Sequence, residues 1–428
     1  FIVNNNCKQY KIILMEFKVA KESFLEVLLK KFGLAEACLF VGTFLVYFFS
    51  NPKPQHYYNY TFLIGENFLH GKIGLVDKQP SWLNEMIPFE GLYYSAFPLG
   101  GVLTMLPFSF FKFVGAIKDM PSALIAALTA ALICLFLIFI GKKYPQTRSK
   151  KILLAAGILF GTFLWTNLTM GSAWQLALGF AMLGELGAIY FSVYDRRPLL
   201  AGLFFALAFG NRTEIILTAP IFIYLLCRDK AKPSAPTTYL KEWKPIAFFC
   251  LAPFLLGIAT LVYNYLRFHS FTDFGYARIP GVLKEPWYRN GIFSLDYISY
   301  NVHEMLFTMW NRVPGFPYLK PTAFGGAVWL SSPFLFLLFR FGSKDKVLKY
   351  TAWAAIIVMT FLLWCHGNPG GWQFSYRYAI ILLPWVYLIL LENSPENITP
   401  LEWVLYIFSF AANAFATYLF HWSGYLKM

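Results

Sequence analysis

The stretch LLAGLFFALAFGNRTEIILTAPIFIYLLC, residues 199–227, decides how this chain is read. It is apolar for most of its length but is interrupted at Gly210-Asn211-Arg212-Thr213-Glu214. Arg196 and Arg197 precede it, and Arg228, Lys230 and Lys232 follow it. Lys and Arg collect at the cytoplasmic ends of membrane-crossing segments, so a stretch that is basic at both ends crosses an even number of times. The spacing therefore predicts a hairpin of two short helices with GNRTE at its tip. A charged tip at a broken helix is costly unless it is partnered. Arg212 is expected either to pair with Glu214 or to meet a ligand.

The rest of the chain agrees with a membrane setting. Of its 428 residues 58% are hydrophobic and only 14% charged, and the mean hydropathy is +0.52. This composition predicts an all-α polytopic membrane protein and excludes disordered, collagenous and disulfide-framework classes. Its 20% aromatic content suits many interfacial ends. The net charge of +14 lies mostly in short loops between apolar runs, a pattern of topology and contact with lipid headgroups rather than of nucleic acid. Six cysteines show neither CxxC nor paired spacing.

A span needs about twenty residues. The candidates are 34–50, 121–141, 152–170, 173–194, 246–266, 326–340, 351–366, 378–391 and 402–421, which with the hairpin make about eleven transmembrane helices. Met15 is the expected native start, and 15–33 reads as a cytoplasmic amphipathic helix. Residues 34–421 then form one transmembrane domain with the amino terminus inside. FPLGGVLTMLPFSFF, 97–111, is broken by Pro98 and Pro107 and is expected to be re-entrant or juxtamembrane. The inside loops hold 20 Lys and Arg in 68 residues, and the outside segments hold 14 in roughly twice that length. Both long non-membrane segments, 51–96 and 267–325, face outward, so chemistry is expected on the extracytoplasmic side of the cell membrane. No internal repeat of the kind common in secondary transporters is seen.

The first outer loop opens with HYYNYTFLIGENFLHGK. On a helical wheel His56, Asn59, Glu66, Asn67 and His70 share about a third of the circumference, predicting a juxtamembrane helix with its acid on the polar face. That face is either a catalytic surface or simply wet. The loop continues through Asp77, Glu85 and Glu90 to Tyr93 and Tyr94 in YYSAFPLGG. Near the other end of the chain, GGWQFSYRYAIILLPW sets Trp372, Gln373, Tyr376 and Arg377 in a glycine- and aromatic-rich turn. Guanidinium suits a phosphate because its planar fork binds two oxygens and stays charged. Arg377, Arg212, Arg278 and Arg289 are the outward candidates, with a snorkelling role as the alternative for Arg377. Glu185 lies within the span 173–194 and reads as a structural carboxyl. His269, Asp273 and Tyr276, with His303 and Glu304, fall in the second outer loop.

The order of a signal-anchor helix, GENFLHGK, EGLYYSAFPLGGVLTMLPF, the GNRTE pair and GGWQFSYRYAIILLPW is similar to bacterial members of the GT-C superfamily. These are polytopic glycosyltransferases related to protein O-mannosyltransferases and lipid A aminoarabinose transferases. The resemblance covers about 34–391. It implies a polyprenyl-phosphate sugar donor, an extracytoplasmic acceptor that is lipid, glycan or protein, and a catalytic base in the first outer loop. Glu66 is the expected base, with Glu90 second. His56, Asn59, His70, Tyr93, Tyr94, Asn211, Arg212, Trp372, Gln373, Tyr376 and Arg377 are the expected substrate contacts. The chain departs from the family where NPKPQH follows the first span in place of an acid, and where TMGSAWQ forms the second outer turn. No metal-ligand spacing such as HExxH occurs, so the cofactor is unknown and a divalent metal is not indicated. Membrane lipids are expected partners and nucleic acid is not. The rival reading is a non-enzymatic lipid or solute transporter with GNRTE in its path.

Overall fold

The computed structural model describes residues 33–83, 85–228, 243–423 and 425–426, so the helix expected over 15–33 lies outside the described residues but for Gly33. Helix α1 (Leu34–Phe49) leads to α2 (Tyr60–Leu69), the strands β1 (Met86–Phe89) and β2 (Leu92–Ser95), and α3 (Leu99–Phe113). Next come α4 (Ser122–Gly141), α5 (Arg148–Phe160), α6 (Leu164–Met170) and α7 (Ala173–Ile189), the last extended by a π turn over Tyr190–Tyr194. Helix α8 (Pro198–Asn211) is followed by a 3-10 stretch, Thr213–Thr218, and α9 (Ala219–Cys227). After α10 (Trp243–Phe268) a long irregular segment carries α11 (Ile298–Leu306), β3 (Asn311–Arg312), β4 (Leu319–Lys320) and β5 (Phe324–Gly325). The last elements are α12 (Val328–Ser331), α13 (Lys346–Cys365), β6 (Gln373–Phe374), α14 (Leu383–Asn393) and α15 (Pro400–His421).

The protein is mostly helical, but it is not all-α. The two-residue turn between β1 and β2 places Glu90 at φ 48° and Gly91 at φ 80°. Two consecutive positive φ values twist the chain in the sense that a tight antiparallel hairpin requires. The span count also differs from the sequence expectation of eleven. Among the described residues five helices are long and apolar enough to cross a membrane, or six if α5 and α6, bent by 47°, form one span. The shortfall comes from breaks that hydropathy does not register. Helix α1 has 16 residues, or about 24 Å at 1.5 Å per residue. Residues 326–340 divide at Ser332, which leaves the helical conformation just before Pro333, into α12 and a 3-10 stretch. Residues 378–391 divide into the 3-10 turn Arg377–Leu382 and α14, which has Pro384 in its first turn.

The hairpin over 199–227 has both its arms and its break. Helix α8 stops at Asn211, Arg212 is extended, and α9 returns to pack on the π turn just before α8. Arg196 Nη2 donates to the Arg228 carbonyl at 2.5 Å, tying the two open ends together. Other inside loops of the sequence reading meet at that same end. Tyr144 donates to Glu392 at 2.7 Å, and Arg228 pairs with Asp345 at 2.5 Å. The fully buried Lys150 and Glu402 pair there, with Arg340 at 2.5 Å from the same carboxylate.

At the opposite end α2 and α3 pack together across the tip of α8. Asn211 Nδ2 donates to Thr104 Oγ1 at 2.9 Å, and Gly100 lies against Gly210 so closely that a Cβ on it would meet the Gly210 Cα at 2.3 Å. Backbone cannot yield as a side chain does, so Gly100→Ala is expected to push α3 off α8 and cost about 1–3 kcal/mol. Thermal unfolding of the purified protein in detergent checks this, and an unchanged midpoint would refute the close packing.

Candidate functional site

At this second end the tip of α8, the turn before α14 and the first long loop converge. Arg212 leaves α8 in an extended conformation, and its Nε and Nη2 reach Glu214 Oε1 at 2.7 and 2.5 Å. Its guanidinium carbon also lies 4.8 Å from the centre of the Tyr378 ring. The Arg377 guanidinium carbon lies 5.3 Å from the same ring and 6.0 Å from that of Trp174. Two cations from segments 165 positions apart thus share one aromatic side chain.

Arg377 is held by a rigid turn. Gln373, fully buried, donates to the Phe324 and Pro369 carbonyls at 3.0 Å each, while its Oε1 accepts the Arg377 backbone N–H at 3.3 Å. Ser375 takes φ 57° and donates to the Gly326 carbonyl at 3.1 Å. Tyr376, fully buried, donates to Asn301 Oδ1 at 3.1 Å. Arg377 is 5% exposed, gives Nη1 to the Trp372 carbonyl at 3.2 Å, and leaves Nε buried with no hydrogen-bond partner among the described residues. A buried guanidinium without a carboxylate bonded to it is an electrostatic deficit that an anion would fill.

An acid on which the Arg377 and Arg212 charges act is Glu85, half-buried just ahead of β1, where it accepts the Trp174 indole N–H at 2.6 Å. Withdrawal from water pushes its carboxyl up to about 7, against the lowering pull of the Trp174 N–H and the Arg377 and Arg212 charges; Glu285 adds to the rise. His366, at the end of α13, donates Nδ1–H to the Asn368 carbonyl at 2.7 Å, which leaves the Nε2 lone pair as an acceptor. Its ring lies against those of Tyr288, Phe293 and Tyr378. Tyr288 and Tyr276 share a hydroxyl contact of 2.6 Å.

The expected residues divide into those within this cluster and those outside it. Arg212 and Arg377 are within it, and Trp372, Gln373 and Tyr376 build its turn. Asn211 is a helix-to-helix link through Thr104. Glu66 pairs with Lys112 at 2.7 Å between α2 and α3. Glu90 sits at the hairpin turn, exposed, 3.0 Å from an equally exposed His269. The polar face drawn from His56 to His70 is shorter than the sequence implied, because α2 begins only at Tyr60. His56 lies before the helix and is exposed, Asn59 is its N-cap, and His70 ends it against Phe113. Tyr93 pairs through its backbone with Leu75, and Tyr94 is buried against Phe268. Sequence reasoning passed over Glu85 because it belongs to no periodic element, and over His366 and Tyr378 because their partners are distant in sequence.

Among the described residues no three His, Cys, Asp or Glu side chains gather to hold a metal ion. Compared with known proteins, the chain matches no family model, no curated protein and no solved structure.

Proposed function

We propose that this chain is a GT-C-type membrane glycosyltransferase that moves a sugar from a polyprenyl-phosphate donor to an extracytoplasmic acceptor. The observation that carries the reading is the pair Arg212 and Arg377 on one Tyr378 ring, whose two charges both act on the raised carboxyl of Glu85. The motif order that resembles this superfamily supports it independently. In this reading the bundle makes eleven passes in the cell membrane, short elements included, with the amino terminus cytoplasmic. The end holding Lys150, Glu402 and Asp345 faces the cytoplasm, and the arginine pair faces outward.

In the reaction the acceptor hydroxyl or amine gives its proton to the Glu85 carboxylate as its lone pair forms a bond to the anomeric carbon. The bond from that carbon to the phosphate oxygen breaks, and polyprenyl phosphate departs with the electron pair. Its added negative charge develops beside Arg377 and Arg212, where a partly desolvated guanidinium is worth most. Tyr378, Tyr288 and Trp174 supply ring faces for the sugar, and His366 Nε2 accepts from a sugar hydroxyl. Glu85 therefore replaces Glu66 as the proposed base, since Glu66 is engaged by Lys112 instead.

The test is consumption of radiolabelled polyprenyl-phosphate sugars by membranes containing the protein, with native lipid extract as acceptor source. Wild type is expected to consume at least one donor of the panel, and Glu66→Gln to retain activity within a few-fold. Folded protein that binds a donor and consumes none, with acceptors supplied, would favour the transporter reading. Loss of all activity in Glu66→Gln would restore that residue as the base.

A further inference from the structure

We infer that the strand pair β3–β4 and the chain around it, residues 307–324, dip into the lipid headgroup layer at the end that holds the arginine pair, anchoring the second outer loop in anionic lipid. The sequence reads this stretch as part of a non-membrane segment. The structure nevertheless leaves Phe307, Met309, Phe316, Tyr318, Leu319 and Phe324 between 46% and 63% exposed. Large apolar side chains exposed in such number mark a contact with protein or with membrane. The place of the strand pair beside α15 points to membrane. Trp310, just ahead of β3, stacks on Phe415 with ring centres 6.2 Å apart. Phe415 lies six residues before the end of α15 at His421, about 9 Å at 1.5 Å per residue. At the tip of the pair Phe316 meets Tyr425, four residues past that end, at 5.5 Å. Helix α15 has 22 residues, or about 33 Å, close to the ~30 Å thickness of a hydrocarbon core. The strand pair therefore runs alongside the outer end of a span, from within it to just beyond it, which is the depth of the headgroups.

The base of this element is fixed, because the Ala327 N–H donates to the Thr308 carbonyl at 2.9 Å and β5 pairs with β6. Its charge is one-sided. No acid occurs in the sequence between Glu304 and Asp345, so Arg312 on β3 and Lys320 on β4 have none within their own segment. Aromatic side chains with basic neighbours are the composition of a segment that lies among anionic headgroups. A second copy of the chain meeting this surface through a two-fold axis would instead set the same two cations against themselves. The inference rests on the reading of α15 as a span and is independent of turnover, so it can fail while the proposed activity stands.

Photo-crosslinking of the full chain tests it in bilayer discs of phosphatidylglycerol and phosphatidylcholine with identical acyl chains. The variant Tyr318→p-benzoylphenylalanine is irradiated and its lipid adducts are counted by mass spectrometry, with the same replacement at the exposed Lys78 of the first outer loop as reference. Lipid adducts at 318 are expected to exceed those at 78 about tenfold and to favour phosphatidylglycerol about fivefold. Arg312→Gln with Lys320→Gln in the labelled chain is expected to bring the two lipids near parity while adducts persist. If the chain labelled at 318 does not fold, the label at Phe307 is expected to give the same excess. Adducts no more frequent than at Lys78, or a crosslink to a second copy in their place, overturn the membrane as occupant. Equal labelling of the two lipids by the unmutated segment, or a preference untouched by the double change, overturns the part given to the two cations.

Discussion

Arg377→Gln is expected to lower donor turnover by about 10²–10³-fold, the loss typical when one stabiliser of developing charge is removed from a water-poor site. Arg377 combines near-complete burial, an unpartnered Nε and no bonded carboxylate, so its charge is directed to whatever enters the cluster. Arg212 shares the ring but spends two nitrogens on Glu214, so Arg212→Gln is expected to cost less. Arg377→Lys separates charge from shape. An ammonium restores a point charge but not the planar fork, and partial recovery is expected. Turnover is read as product per minute at saturating donor, with thermal unfolding run in parallel. Among the described residues the one side-chain hydrogen bond given up is that to the Trp372 carbonyl, so the unfolding midpoint should change little. Full activity in Arg377→Gln with an unchanged midpoint would remove this residue from the proposed site.

Much of the arrangement was legible because charge and apolar runs constrain topology before any packing is known. Basic residues on both sides of 199–227 implied two arms with a break, and the break falls at Arg212 with the open ends joined through Arg196 and the Arg228 carbonyl. The glycine- and aromatic-rich turn drew attention to Arg377 for the same reason that the structure holds it: small and ring-bearing residues build a tight support around a cation. What stayed hidden depends on meetings across long separations. Nothing local to Glu85 announces that Trp174 will donate to it, and nothing local to Tyr378 announces that it will carry two guanidinium groups. Helical periodicity favoured Glu66 because it lies in a helix where a face can be drawn, yet that face delivers it to Lys112. The number of long apolar helices falls below the expected span count for a related reason. Hydropathy sums side chains over a window, and it does not record that Pro333 and Pro384 divide apolar runs into shorter pieces.

Glu85 gives the second large effect, and its sign follows from where its carboxyl titrates. A base must be ionised to take the acceptor's proton, and this carboxyl is raised to about 7. Turnover is therefore expected to rise with pH through about 7 and level off above it, falling tenfold per unit on the acid side. Glu85→Gln should lose about 10²–10⁴-fold in rate and, with it, the acid limb of the profile. In Arg377→Gln the residual activity should show the limb displaced upward, because the guanidinium charge that helps to hold the carboxyl down is gone. Stability runs the other way. A carboxyl raised above its ordinary value of 4.5 makes the folded state take up a proton between there and about 7. The stabilisation this gives is complete below the lower value and is lost as pH rises through the upper one. Replacing the acid with neutral Gln removes that loss, so Glu85→Gln should unfold at a higher temperature than the wild type at pH 8, even as it fails in turnover. A variant with an intact limb near pH 7 would assign the proton to another group, and one that is less stable than the wild type at pH 8 would place Glu85 in the framework instead of the chemistry.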